Sequence, residues 1–220
     1  RALALALAMP LVSVWATLAG VAGFVTCSHC TAQQGLKDGS KFGQPDGTKA
    51  VGTETKDPFY WAGGDCTVEN GCRNSDSAFA AATVDRAAKV ALVTPGTLDI
   101  AKFARITGKE PWPMQGLPAM KVGRTTGGTQ GTISSACVNV KSSSQYMYHC
   151  NHFVSGNSPM SQPGDSGSPV FRIANIPAVD DVRLLGLLWG GTTNAFVFSP
   201  IGAVEKDLGS LSVCAPGFNC

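Results

Sequence analysis

The segment Gly164-Asp165-Ser166-Gly167-Ser168-Pro169-Val170 holds a serine between two glycines and directly behind a carboxylate, with no helical or strand periodicity. Glycine before the serine permits a tight turn in which successive N–H groups converge on one point. Such a turn can hold the negative oxygen of a tetrahedral acyl intermediate while the hydroxyl attacks a carbonyl. The competing reading is a plain polar turn between two strands, since Gly, Ser and Asp are ordinary turn residues. Serine acyl transfer needs a base and a group to orient it. The chain offers three histidines. His29 ends an apolar run, Gly23-Phe24-Val25-Thr26-Cys27-Ser28-His29-Cys30, that has the character of a buried strand. His149 and His152 flank Cys150 in a Tyr/Ser-rich stretch and fit half-exposed strand positions. Asp76, within Ser75-Asp76-Ser77-Ala78, is the candidate acid; in isolation it would serve as well as a turn or helix cap.

Taken together these segments resemble the trypsin/chymotrypsin-like serine peptidases, most densely the bacterial secreted α-lytic-protease and streptogrisin type. The order His29, Asp76, Ser166 is that family's order and differs from those of the subtilisin and α/β-hydrolase scaffolds. Gly123-Arg124-Thr125-Thr126-Gly127, running to Gly131-Thr132-Ile133, is similar to the opening of their second barrel, and Leu188-Trp189-Gly190-Gly191 to the strand that pairs with substrate. The resemblance implies an all-β fold of two six-stranded antiparallel barrels with a short C-terminal helix. It also implies Ser166 as nucleophile, His29 as base, Asp76 as its orienting acid, and the N–H groups of Gly164 and Ser166 as the oxyanion hole. It implies further that Asp165 is buried and paired with a cation; Lys121, at the position of the bacterial type, and Arg124 are the candidates. Leu188, Trp189 and Gly190 are expected to pair with an extended peptide. Met160, six residues before Ser166, would floor the specificity pocket, with Phe196 and Phe198 on the opposite wall. No carboxylate lies near, so small or apolar side chains are expected before the scissile bond.

The elements that must position these groups are short strands. Gly/Asp/Lys-rich residues 31–82 suggest long loops between them, and Val90–Val93 and Ile100–Ile106 have strand character. Pro111, Pro113 and Pro118 suit a crossing between lobes rather than central strands. The predicted lobes are thus 21–110, carrying His29 and Asp76, and 111–220, carrying Ser166. Further strands are expected near 131–140, 145–154, 168–173, 182–189 and 194–198. Ser199-Pro200 would cap a helix whose apolar face is Ile201, Val204, Leu208 and Leu211. Residues 1–20 have either signal-like or first-strand character: Arg1 precedes an apolar Ala/Leu run, and small residues follow. If the run is a signal, or the start is incomplete, the first barrel lacks its opening strands. If retained, residues 2–25 are long enough for a membrane tether, although Pro10 weakens that reading.

Eight cysteines, 44% hydrophobic and only 15% charged residues fit an exported, oxidised, globular protein. The spacings suggest local bridges Cys66–Cys72, Cys137–Cys150 and Cys214–Cys220. A Cys27–Cys30 bridge is then expected if a tight turn brings the Cα atoms within about 7 Å. A zinc or thioredoxin-like site is disfavoured because no second Cys-x-x-Cys pair or βαβ pattern accompanies it. A net charge of +2 without a basic run argues against a nucleic-acid partner. The expected molecule is a secreted, monomeric endopeptidase acting on peptides or proteins without metal or cofactor. The alternative is a protease-like binding protein without turnover.

Overall fold

In the computed structural model the described residues are 7–8, 13–43, 49–82, 89–93, 100–157, 159–174, 180–218 and 220. Alternation in the second half of the chain resolves into a ring of six antiparallel strands. In order these are Pro118–Gly123, Gly127–Lys141, Met147–Ser155, Ala195–Pro200, Asp181–Thr192 and Pro169–Ile173, the last pairing back onto the first. Closure leaves no free edge within the ring. Its interior is filled by Ala119, Ile133, Val154, Val170, Leu185, Leu188, Phe196 and Phe198, among others. Asp181–Thr192 also carries near-continuous apolar residues because both of its faces are covered. Gly186 is required there, since a Cβ would lie 2.1 Å from the carbonyl oxygen of Ser199 on the paired strand.

The first half forms a seven-stranded sheet. Its order is Leu7–Ala8, Lys41–Gly43, Ala50–Lys56, Ala78–Ala82, Val21–Thr26, Val14–Leu18 and Leu211–Ser212. Phe24, Phe42 and Ala80 form its own small core, the two rings meeting edge to face at 5.6 Å. Among the described residues this sheet does not close on itself. A larger core joins the halves: Val25 and Phe79 from the first sheet meet Leu184 and Leu187 from the ring and Ile201, Val204 and Leu208 from the helix Ile201–Leu208.

Several expectations are revised. The hairpin Lys89–Val93/Ile100–Lys109, assigned by sequence to the first lobe, is hydrogen-bonded to Asp181–Thr192 of the second sheet, and its Val90, Ala104 and Ile106 enter the shared core. Residues 14–18 and 21–26 are paired strands, so this part of the apolar start is sheet. The signal-like residues 1–6 and 9–12 lie outside the described residues. Among those described, no helix is long and apolar enough to cross a membrane. The helix begins at Ile201 with Pro200 as its cap residue, not Ser199, and Leu211 lies beyond it in a two-residue strand. Ser199 is diverted because its hydroxyl is bonded elsewhere, as described below. His152 is buried rather than half exposed: its Nε2 meets the carbonyl of Pro113 at 2.9 Å and anchors the proline-rich crossing.

The three local disulfides 66–72, 137–150 and 214–220 are present. The expected fourth bridge is not: Cys27 and Cys30 are free thiols. The Cys27 thiol points into the lobe interface and donates to the carbonyl of Leu188 at 3.2 Å.

One buried charge cluster fixes the loops that approach the cleft. Arg73 is 1% exposed. Its Nη1 donates to Asp57 Oδ1 at 2.7 Å and its Nη2 to the carbonyl of Ser77 at 2.6 Å, while Nε lies 3.5 Å from Asp207 Oδ2. Asp57 in turn accepts from the Ser28 hydroxyl at 2.7 Å, and Asp207 from the N–H and hydroxyl of Ser75. Removing the guanidinium leaves buried carboxylates without a counter-charge, a loss on the order of 3–5 kcal/mol. Arg73→Ala is therefore expected to lower the urea midpoint by most of the chain's stability. Arg73→Lys should recover only part of it, since an ammonium cannot span Asp57, Asp207 and the carbonyl of Ser77 together. Equal midpoints for Arg73→Ala and the unaltered chain would contradict this role.

Candidate active site

Val21–Thr26 runs into a single 3₁₀ turn, Ser28–Cys30, which lifts His29 out of the sheet. Ser28 and Thr31 lock that turn: the Ser28 hydroxyl binds Asp57, and the Thr31 hydroxyl donates to the carbonyl of Ser28 at 2.7 Å. The imidazole, with its side chain 34% exposed, faces the cleft. Its Nδ1 bonds Asp76 Oδ2, and its backbone N–H donates to Asp76 Oδ1 at 3.0 Å. Its Nε2 lies 2.9 Å from Ser166 Oγ. The three side chains thus form one continuous line of hydrogen bonds across 137 residues of sequence.

Asp76 is 1% exposed. Burial alone would raise its pKa, but the charge and two hydrogen bonds of His29, with Arg73 behind, hold the carboxyl below its ordinary value. For His29, burial works downward and is outweighed by the charge and hydrogen bond of Asp76, so the ring's pKa is raised. A second layer holds the carboxylate loop. The N–H of Asp76 donates to Ser199 Oγ at 3.2 Å, and that hydroxyl donates to Asn151 Oδ1 at 2.8 Å. Asn151 also accepts from the Trp189 indole at 2.8 Å and donates to the carbonyl of Asn74 at 3.0 Å.

The serine turn is shaped by Asp165. Gly164 has φ +98, a conformation that favours glycine, and a Cβ there would fall 2.6 Å from Thr125 Oγ1. Asp165 is wholly buried and accepts from Thr125 N–H at 2.7 Å, Thr126 Oγ1 at 2.6 Å and Gln162 N–H at 3.1 Å. Lys121 Nζ, equally buried, stands 3.3 Å from Asp165 Oδ2 and also binds Thr126 Oγ1 and the carbonyl of Gly127. Arg124 is not among the carboxylate's partners; it lies over Gly164. The N–H groups of Gly164 and Ser166 donate to no acceptor among the described residues, whereas Gly167 N–H is taken by the carbonyl of Leu188 at 2.8 Å. The turn can therefore offer two free donors beside the hydroxyl.

Ser161, Gln162, Pro163, Leu188, Gly190 and Gly191 line a cavity of about 200 Å³ that reaches Ser166. Met160, expected at its floor, is instead 0% exposed in the barrel interior, as is Phe196, and neither lines the cavity. Phe198 lies in the same interior. Leu188 lines the cavity, but its N–H and carbonyl are both occupied, by Ser168 and by Gly167 with Cys27. Trp189 sits at a register shift in its strand and packs on Tyr148 at 4.8 Å. Of the supporting residues, Asn151 carried no signal in the sequence, and Ser199 was disguised as a helix cap.

Residues 66–199, more than half of the chain, match the protein family described as the Nal1 C-terminal domain. No curated protein matches the chain. Among solved structures it is similar to a glutamic-acid-specific serine protease described as using a histidine triad in substrate binding (20% identity, 90% of each chain, TM-score 0.65). It is also similar to Thermobifida fusca protease A (19% identity, 93% of this chain and 91% of that one, TM-score 0.66). A third is the Nocardiopsis protease (20% identity, 93% and 92%, TM-score 0.63). The fold is that of the chymotrypsin-like proteases.

The Asp165 environment has a pH consequence. Burial raises its pKa, but the Thr126 hydroxyl, the Lys121 charge and the N–H groups of Thr125 and Gln162 outweigh burial and depress it. A depressed folded-state value contributes stability that is present above the unfolded carboxylate's pKa and is lost as pH falls through the folded value. Denaturation midpoints followed into acid should show this loss in the unaltered chain. Asp165→Asn should be less stable at neutral pH by about 3–5 kcal/mol, since Lys121 is left unpaired, and should lose less on acidification. Parallel midpoint-against-pH curves for the two would contradict it.

Proposed function

The chain belongs to the family of the Nal1 C-terminal domain, and we propose that it is an exported serine endopeptidase that cleaves peptide bonds through an acyl-enzyme. The reading is carried by one observation, the continuous line of contacts from Asp76 through His29 to the Ser166 hydroxyl beside two free backbone donors. In this mechanism His29 Nε2 takes the Ser166 proton as Oγ attacks the substrate carbonyl. The developing oxyanion is received by the N–H groups of Gly164 and Ser166, each such donor being worth about 3 kcal/mol of barrier. The imidazolium, held by Asp76, then passes its proton to the leaving amine. Water repeats the sequence against the acyl-enzyme, and Ser166 is regenerated. Asp76 stays ionised throughout. Asn151 and Ser199 keep its loop in place, and Asp165 with Lys121 keeps the serine turn in shape.

Small or apolar side chains before the scissile bond fit the cavity, because Ser161, Gly190 and Gly191 present no charge to it. Main-chain pairing with substrate falls to Gly190 and Gly191, since the Leu188 backbone is engaged within the protein. Three disulfides support export to an oxidising compartment, where the chain acts on peptide or protein substrate as a monomer.

A fluorophosphonate probe should label the chain rapidly at neutral pH. Labelling should disappear in Ser166→Ala and fall steeply in His29→Ala; label on any other serine would overturn the assignment. Because His29 must be neutral to act and its pKa is raised, the acid limb of kcat/KM should lie above the ordinary histidine value. In Asp76→Asn the limb should move to lower pH, with kcat reduced about 10⁴-fold. A limb that does not move would remove Asp76 from its role. On chromogenic peptides differing only before the cleaved bond, Ala or Leu should exceed Arg, and a clear Arg preference would refute the pocket reading.

A further inference from the structure

Two thiols remain unpaired in a chain whose other six cysteines form bridges, and both belong to the turn that carries the base. The sequence offers only Cys27 and Cys30, too few for a metal site. Folding adds a third donor: Cys27 Sγ, Cys30 Sγ and a ring nitrogen of His29 all lie within 4.8 Å of one another. Two sulfurs and an imidazole are the donors that zinc-like ions select. With Zn–S near 2.3 Å and Zn–N near 2.0 Å, tetrahedral donors stand roughly 3.5–3.8 Å apart, so closure needs shifts of about 1 Å or less. Cys27 is wholly buried, whereas Cys30 is part-exposed and the ring faces the cleft, so an ion enters from the cleft side.

We propose that Cys27, His29 and Cys30 form a thiolate–imidazole site for Zn²⁺ or a similar thiophilic divalent ion, and that its occupation switches the triad off. On binding, the Cys27 and Cys30 thiols release their protons to solvent, as does the His29 ring where it is protonated, and Cys27 gives up its hydrogen bond to the carbonyl of Leu188. Two M–S bonds and one M–N bond form, and water completes the coordination. Both ring nitrogens are already engaged, Nδ1 by Asp76 and Nε2 by Ser166. Whichever nitrogen turns to the ion, the imidazole loses either its orienting partner or its contact with the nucleophile. The loss of activity rests on His29 being the catalytic base; the binding does not.

The test uses the full chain, kept reduced with a phosphine, and Co²⁺ as the spectroscopic probe. One equivalent of Co²⁺ should produce thiolate-to-cobalt charge-transfer absorption, which Zn²⁺ displaces, and Zn²⁺ should abolish peptide hydrolysis with the same midpoint as that displacement. Cys30→Ser, altering a part-exposed side chain, should lose the absorption and weaken both midpoints by about 100-fold or more, since even supporting groups around a metal cost up to that factor. Ser166→Ala should retain the absorption with an unchanged midpoint although it hydrolyses nothing. Absence of the charge-transfer band in the reduced, folded chain would overturn the site, as would a Cys30→Ser variant inhibited at the unaltered midpoint. Should hydrolysis itself be missing, the cobalt band still reports the site, so the two readings fail separately.

Discussion

A carboxylate with 1% of its surface exposed needs a partner for its charge, and the arrangement around Asp76 follows from that need. The partner is the whole of His29, ring and backbone N–H together, which fixes both the position and the orientation of the imidazole. Once Nδ1 is committed to Asp76, Nε2 has one direction left, and Ser166 Oγ lies along it. The loop bearing Asp76 cannot drift, because its neighbours are bound on both sides. Asn74 and Ser75 are tied to Asp207 on the helix, and Asp76 N–H to Ser199 on the barrel. A residue of the first half of the chain is therefore held by groups of the second half.

The same logic recurs at the turn that carries Ser166. Asp165 accepts four N–H or hydroxyl bonds besides its contact with Lys121, and these fix the loop on either side of Ser166. Two buried carboxylates thus divide the labour: one holds the His29 ring, the other the turn that carries Ser166. Arg73 underlies both the His29 turn and the Asp76 loop, through Asp57 and Ser28 on one side and the carbonyl of Ser77 on the other.

Much of this was legible in the residues because it is local. Gly-Asp-Ser-Gly names a turn chemistry, the short cysteine spacings fit local bridges, and short apolar runs between turn residues mark the barrel strands. What the sequence hid is non-local. Met160 and Phe196 lie near the cavity in chain order, yet strand alternation and loop curvature turn them into the barrel interior, and Ser161 takes the cavity wall. Ser199-Pro200 carries every mark of a helix start, but the hydroxyl is drawn to Asn151, so the helix begins after the proline. The strands Lys89–Val93 and Ile100–Lys109 could join either sheet; only pairing with Asp181–Thr192 decides which. Cys27 and Cys30 look like a bridging pair until the Cys27 thiol is seen directed at the carbonyl of Leu188.

The most direct test of the central contact is an NMR titration of the histidine rings in ¹⁵N-labelled full-length chain. The resonance missing in His29→Ala should titrate above the ordinary histidine pKa of about 6.5, and should fall when Asp76 is replaced by Asn. A His29 ring titrating at or below the ordinary value, with no response to Asp76→Asn, would mean that the buried carboxylate does not hold the base.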